Sequence, residues 1–163
     1  MSEAIVAQVA PTARTGQNFA VADLGLFSEL RQFLFETPKA PMKLEGKVFL
    51  KQILNLSSAE ISFNNLPPKT SLPFSHKHRL NEEIYIFVRG KGEFQVDGCV
   101  FAVGEGTVVR VDPDGERCMR NTSDAEDLCW IVIQSRVGSY PDHTIQDGFG
   151  VQKRVTWVSK QEI

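Results

Sequence analysis

From Lys47 onward the chain is a succession of short runs rich in Val, Ile and Phe: VFLKQILNL, AEISFNNL, EIYIFV, GEFQVDG, CVFAV, GTVVRV and LCWIVIQ. The turn sequences PPKT, RGKG, VDGC, GEG and DPDG separate them. Pro fixes φ, Gly reaches the left-handed region, and Asp bonds to its own backbone, so each of these stretches turns the chain. Runs of strand length closed off by such turns cannot grow into long helices, and their spacing predicts an all-β sandwich or barrel. VDG before CVFAV is a hairpin signal. No internal repeat of roughly 30 residues appears, which excludes solenoids and propellers. In the tail VQKRVTWV, Val151, Val155 and Trp157 alternate with polar residues, a pattern suited to an added edge strand.

The region before Lys47 has a different texture. Residues 1–20 mix Ala, Thr, Gln and Gly without a period and read as a flexible arm. Asp23 then offers a helix cap before LGLFSELRQFLFE. Leu24, Phe27, Leu30 and Leu34 are spaced by three, three and four, which predicts one short amphipathic helix ended by Pro38 and Pro41. The expected organisation is therefore this arm followed by a single domain over 21–163, with its barrel core at about 45–136.

Composition narrows the function classes. The chain has 163 residues, with 18 Lys+Arg against 20 Asp+Glu. A net charge of −2 supplies no positive field for nucleic acid or for an anionic membrane surface. The longest apolar run, Leu128 to Ile133, is far short of the ~20 residues of a membrane span. Cys99, Cys118 and Cys129 are odd in number and form no CxxC, so neither a disulfide framework nor an all-cysteine zinc site is expected. Free thiols and the lack of a basic-then-apolar start predict a cytoplasmic protein. GxGxxG, P-loop and GxSxG patterns are absent.

One stretch concentrates chemistry: PFSHKHRLNEEIYIFVRGKGEF. His76 and His78 are two apart, which in a strand puts both imidazoles on one face. Glu83 follows five residues later at the start of a strand-like run. If it faces the same cavity, three ligands converge from neighbouring strands. Two imidazoles and a carboxylate suit a divalent first-row metal such as Fe, Mn, Ni, Cu or Zn, and they leave coordination positions open. Glu82 is the rival carboxylate, but it points to the opposite face once the strand has begun. Tyr85 and Phe87 share the parity of Glu83 and are the candidates for a pocket wall.

His76-Lys77-His78, four residues, Glu83, six residues and Gly90 together resemble the first motif of the cupin superfamily. The family has a Gly shortly before the first His, where this chain has Lys69 and Thr70. Gly106, Pro113-Asp114-Gly115 and Asn121 resemble the second motif, whose metal-binding His is missing. The resemblance covers about residues 60–135. It implies a double-stranded β-helix, a jelly-roll barrel enclosing a cavity, preceded here by the short N-terminal helix, and pairing of two such barrels into a homodimer.

Counted from Asn121 the missing His falls on Arg117; counted from Gly115 it falls on Cys118. A guanidinium has no lone pair for a metal, and its planar fork suits an anionic substrate group. A Cys118 thiolate would instead add a soft ligand. The plain alternatives are a pair of pocket-lining histidines, an exposed arginine beside a turn, and buried cysteines acting as small apolar groups. His143, in SYPDHTIQDG, reads as solvent-exposed loop. The functional expectation is a metal-dependent enzyme of dioxygenase or isomerase type acting on a small anionic molecule, with a non-catalytic binding or sensor module as the alternative. A metal-free sugar isomerase using a pocket histidine as base is a weaker third reading.

Overall fold

Turn chemistry and alternation produce most of the observed architecture. The computed structural model describes residues 7–8, 11–38 and 43–159. Its strands are β1 Ala7–Gln8, β2 Arg14–Thr15, β3 Ala20–Val21, β4 Leu34–Glu36, β5 Leu44–Glu45, β6 Lys47–Phe49, β7 Glu60–Leu66, β8 Asn81–Arg89, β9 Lys91–Val96, β10 Cys99–Gly104, β11 Val108–Val111, β12 Arg117–Asn121 and β13 Leu128–Arg136. A five-stranded sheet, in the order β11-β8-β13-β7-β6, faces a three-stranded sheet, β10-β9-β12, and together they form the jelly roll. Segment 70–78 lies along the free edge of β12, bridged at Ser71–Arg120 and His76–Arg117.

Period-two alternation decides which residues are inside. On β8, Glu83, Tyr85 and Phe87 point inward and are buried. With Leu66, Phe94, Val103, Val111, Met119, Leu128, Trp130 and Val132 the two aromatic residues form the core between the sheets. A second cluster, built on Leu24, Leu30, Val48 and Leu50, covers part of the outer side of the five-stranded sheet, where Phe27 stacks on Phe63 at 4.9 Å.

The helix expected over 24–36 is only a 3-10 turn, Phe27–Gln32. Gly25 sits at φ +72, and the Asp23 carboxylate accepts its N–H at 2.9 Å, a local turn rather than a helix cap. Leu34–Glu36 is a strand because Phe35 finds pairing partners in Gln8 and Leu44 and an edge-on ring contact with Phe49 at 4.7 Å. In VFLKQILNL only Val48 and Phe49, the end of β6, are strand; Lys51–Leu54 forms helix α1, closed by Asn55 in the left-handed region. Residues 151–159 add no edge strand and stay exposed, Trp157 by 96%. The reading of 1–20 as an arm falls partly on residues 1–6 and 9–10, outside those described. Within that stretch Ala7–Gln8 pairs with β4, and β2 pairs with β3.

Gly90 joins β8 to β9 at φ +81, and a Cβ there would meet the Asp127 carbonyl at 2.2 Å. Gly98, in the β9–β10 hairpin, has φ +80 but open space around it. Gly98→Ala is therefore expected to cost only the conformational strain, about 1–2 kcal/mol, and Gly90→Ala about 3 kcal/mol or more. Equal losses by urea denaturation would refute the role given to the Asp127 carbonyl.

Candidate metal centre

Each ligand is delivered by a separate local device. Glu83 is fixed by β8, whose register with β11 (Val111) and β13 (Gln134) aims it into the barrel. His76 exchanges two backbone hydrogen bonds of 3.2 Å with Arg117, and the His78 N–H donates to the Pro113 carbonyl at 3.0 Å. These bonds hold an otherwise irregular segment extended, so both imidazoles keep the same side. The three ligands thus converge across the barrel, from the edge of the small sheet and from the large sheet, rather than from neighbouring strands of one sheet.

One potential ligand atom from each of His76, His78 and Glu83 lies within 4.8 Å of the others. His78 Nε2 is 3.0 Å from Glu83 Oε1, and His76 Nε2 is 3.5 Å from Oε2. Glu83 is only 3% exposed. Its Oε2 accepts from Arg117 Nε at 3.1 Å and from the Tyr85 hydroxyl. The other oxygen, Oε1, faces His78 alone. Although close to that carboxylate, His78 Nε2 is buried and makes no aligned hydrogen bond. An imidazole N–H at this position faces the carboxylate directly, and a deprotonated Nε2 there can share a cation with it. Two imidazoles and one carboxylate converging in this way fit a divalent first-row metal.

Protonation states agree. Burial acts to raise the Glu83 pKa, but hydrogen bonds from His76 and Tyr85 and the fields of both imidazoles outweigh it and bring it down to about 2. His78 is shifted down, chiefly by burial and against the field of Glu83, so it is neutral and free to ligate. Tyr85 is pushed up by burial and then by the Glu83 carboxylate, and remains a hydroxyl donor.

Arg117, one of the two candidates for the missing-histidine position, faces the interior beside Glu83 and is 1% exposed. Its Nη1 donates to the carbonyls of Gly115 at 2.7 Å, His76 at 3.3 Å and Pro113 at 3.5 Å. With Nε on Glu83, the planar fork is consumed inside the protein, and among the described residues only Nη2 is left without a hydrogen-bond partner. The two-pronged grip on an anion expected from the sequence is therefore replaced by one free edge. Cys118 points to the other face of β12, toward a depression shared with Gln95, Glu93 and Arg120. Glu82 also faces outward, 3.9 Å from Arg110. Phe87 shares the inward face but packs deeper, against Phe94 and Trp130. His143 is exposed.

Sequence reasoning missed Lys47. It faces the interior on β6, and its ammonium donates to Asn64 Oδ1 at 2.7 Å. A lysine alternating with Phe49 in a strand of the core region was the only available signal.

A cupin protein from Bacteroides fragilis is 37% identical, matched over 64% of this chain and 88% of its own, with a TM-score of 0.61. The cupin domain family model matches residues 63–134. This chain is a cupin. Similarity extends to a predicted oxalate decarboxylase from Thermotoga maritima (24% identity, 59% of this chain and 83% of that one, TM-score 0.51). A sugar phosphate isomerase from Silicibacter pomeroyi is also similar (18% identity, 56% and 59%, TM-score 0.50). These two likenesses show the fold alone. No curated protein matches the sequence.

Both His78 and Glu83 bind fewer protons folded than unfolded, so each stabilises the fold at neutral pH and loses that contribution in acid. Without added metal, the melting temperature should begin to fall below the ordinary histidine value of 6.5 and fall further between 4.5 and about 2. His78→Gln should remove the first phase only; a variant that keeps it would refute the assignment.

Proposed function

We propose that this cupin is a metal-dependent enzyme acting on a small anionic molecule, with His76, His78 and Glu83 holding one divalent transition-metal ion. The observation that carries the reading is the convergence of His76, His78 and Glu83, whose potential ligand atoms lie within 4.8 Å of one another, with His78 Nε2 3.0 Å from Glu83 Oε1. The ion would supply Lewis acidity or a place for an oxygen ligand. Dioxygenase and isomerase chemistries both fit this donor set. The chain's own residues do the positioning. Tyr85 and Arg117 hold Oε2, which leaves Oε1 to ligate, and the free Nη2 of Arg117 offers one charged donor to the ligand. His76 and His78 side chains are 34% and 23% exposed, so the site is approached from their side.

A second reading has its own support. The Arg117–Glu83 pair already balances the buried carboxylate, so the site tolerates having no ion, as a non-catalytic binding or sensor module would require. Elemental analysis of untagged protein separates the two. Near-stoichiometric Fe, Mn, Ni, Cu or Zn, lost in His78→Ala, supports the enzyme; protein that takes up no metal after chelation and reloading excludes it. Arg117→Met removes one half of a buried pair and should destabilise the metal-free protein by about 3–5 kcal/mol. A bound dication replaces the lost positive charge, so metal should restore much of that loss. Identical stability of Arg117→Met and the parent protein without metal would count against the pair.

The protein is also proposed to form a homodimer in a reducing, cytoplasmic setting. Cys99, Cys118 and Cys129 are unpaired. Among the described residues no helix is long and apolar enough to cross a membrane. On the outer face of the large sheet, Val108 is 61% exposed and Ile84, Ile86, Ile131 and Ile133 are half-buried, in adjacent register across β11, β8 and β13. A second copy covering this face would bury it. Ile86→Lys should convert a dimer to a monomer in sedimentation velocity; a monomeric parent protein refutes the pairing.

A further inference from the structure

Across the large sheet, Phe87, Trp130, Asn64 and Lys47 stand in one row, and Tyr85, Val132, Ser62 and Phe49 in the next. Phe87, Trp130, Asn64, Tyr85, Val132 and Ser62 are all buried. The rows line the interior, and Lys47 therefore projects inward from the edge strand β6. Its Nζ does not stay in its own row. It donates to Asn64 Oδ1 at 2.7 Å and reaches Ser62 Oγ at 3.4 Å, so it leans one row toward Glu83, and it lies 4.7 Å from the Phe49 ring centre.

Every partner of this ammonium among the described residues is neutral. Among the described residues no carboxylate lies within ion-pair distance of it. Burial draws its pKa down to about 8, against the more distant fields of Glu83 and Glu60. A half-buried cation with dipoles and a ring for company is costly, and an apolar side chain of the same length would pack there at less cost. The position instead presents a fixed positive charge to the barrel interior, on the wall across from the histidines. Asn64 is itself pinned, its amide donating to the Ser62 carbonyl and hydroxyl at 3.1 Å, so the ammonium is held in place before any ligand arrives.

We propose that Lys47 is the second anchor of the ligand site and that this cupin selects small molecules carrying two separated acid groups. One group is taken at the His76–His78–Glu83 centre beside Arg117 Nη2, the other by Lys47 Nζ. The proposal rests on the metal-site reading above. It goes further by naming the substrate class and a residue that determines it.

The test is calorimetric titration of metal-loaded protein with three pairs of probes: malonate against acetate, succinate against propionate, and glutarate against butyrate. At least one dicarboxylate should bind about tenfold more tightly than its monoacid, the worth of one charge-assisted hydrogen bond. Lys47→Met and Lys47→Gln should erase that advantage, and Lys47→Arg should keep most of it. Metal content should be unchanged in all three variants. No advantage in the parent protein, or an advantage that survives Lys47→Gln or Lys47→Met, overturns the proposal. The metal reading fails separately: protein that takes up no metal yet shows a Lys47-dependent preference sinks the ion and leaves the anchor standing.

Discussion

A carboxylate buried to within 3% of full enclosure must be compensated on every side, and the interior of this cupin is arranged around that requirement at Glu83. Arg117 supplies the opposite charge, Tyr85 a hydroxyl, and the two histidines face the remaining space. The compensation also ties the two sheets together. Glu83 belongs to the large sheet, Arg117 to the small one, and His76 is hydrogen-bonded to the backbone of Arg117. The site is therefore a cross-brace of the barrel as well as a place for a ligand.

The same arrangement explains what the loss of the fourth ligand does. A histidine in the position of Arg117 would share the ion. The guanidinium instead takes one carboxylate oxygen for itself and leaves the other. Positive charge at that point raises the electrostatic cost of a dication but also balances Glu83 when none is bound. On the proposed reading, such a centre would trade tightness of metal binding for a protein that folds with or without the ion. Its remaining donor, Nη2, and the ammonium of Lys47 are positive groups of the interior in addition to any bound ion.

Much of this was legible in the chain. The spacing His76-x-His78 with Glu83 marked the three groups that converge, because strand parity is a local property. Parity likewise turned Glu82 outward and Tyr85 inward. Parity with Asn121 put Arg117 on the inward face, and Asn121 is locked by its side chain to the Leu66 and Glu126 carbonyls at 2.9 and 2.8 Å, which fixes the strand's register. Local pattern misled where tertiary partners prevailed. Leu24, Phe27, Leu30 and Leu34 have helical spacing, yet Phe35 gained more from strand pairing and from the Phe49 ring than from another helical turn. Lys51–Leu54 is helix, and Glu60 Oε1 accepts the Lys51 N–H at 2.9 Å, a partner at the start of the next strand that helix propensity does not count.

The sequence alone determined the alternation of inward and outward residues, the turns that needed glycine and the set of groups able to grip an ion. Each of these follows from the covalent geometry of a few neighbouring residues. Which oxygen of Glu83 stays free, how the Arg117 fork is spent, and that Lys47 on a distant edge strand faces the same interior were decided only by folding. Those facts depend on distances between segments far apart in the chain, and only the closing of one sheet over the other sets such distances.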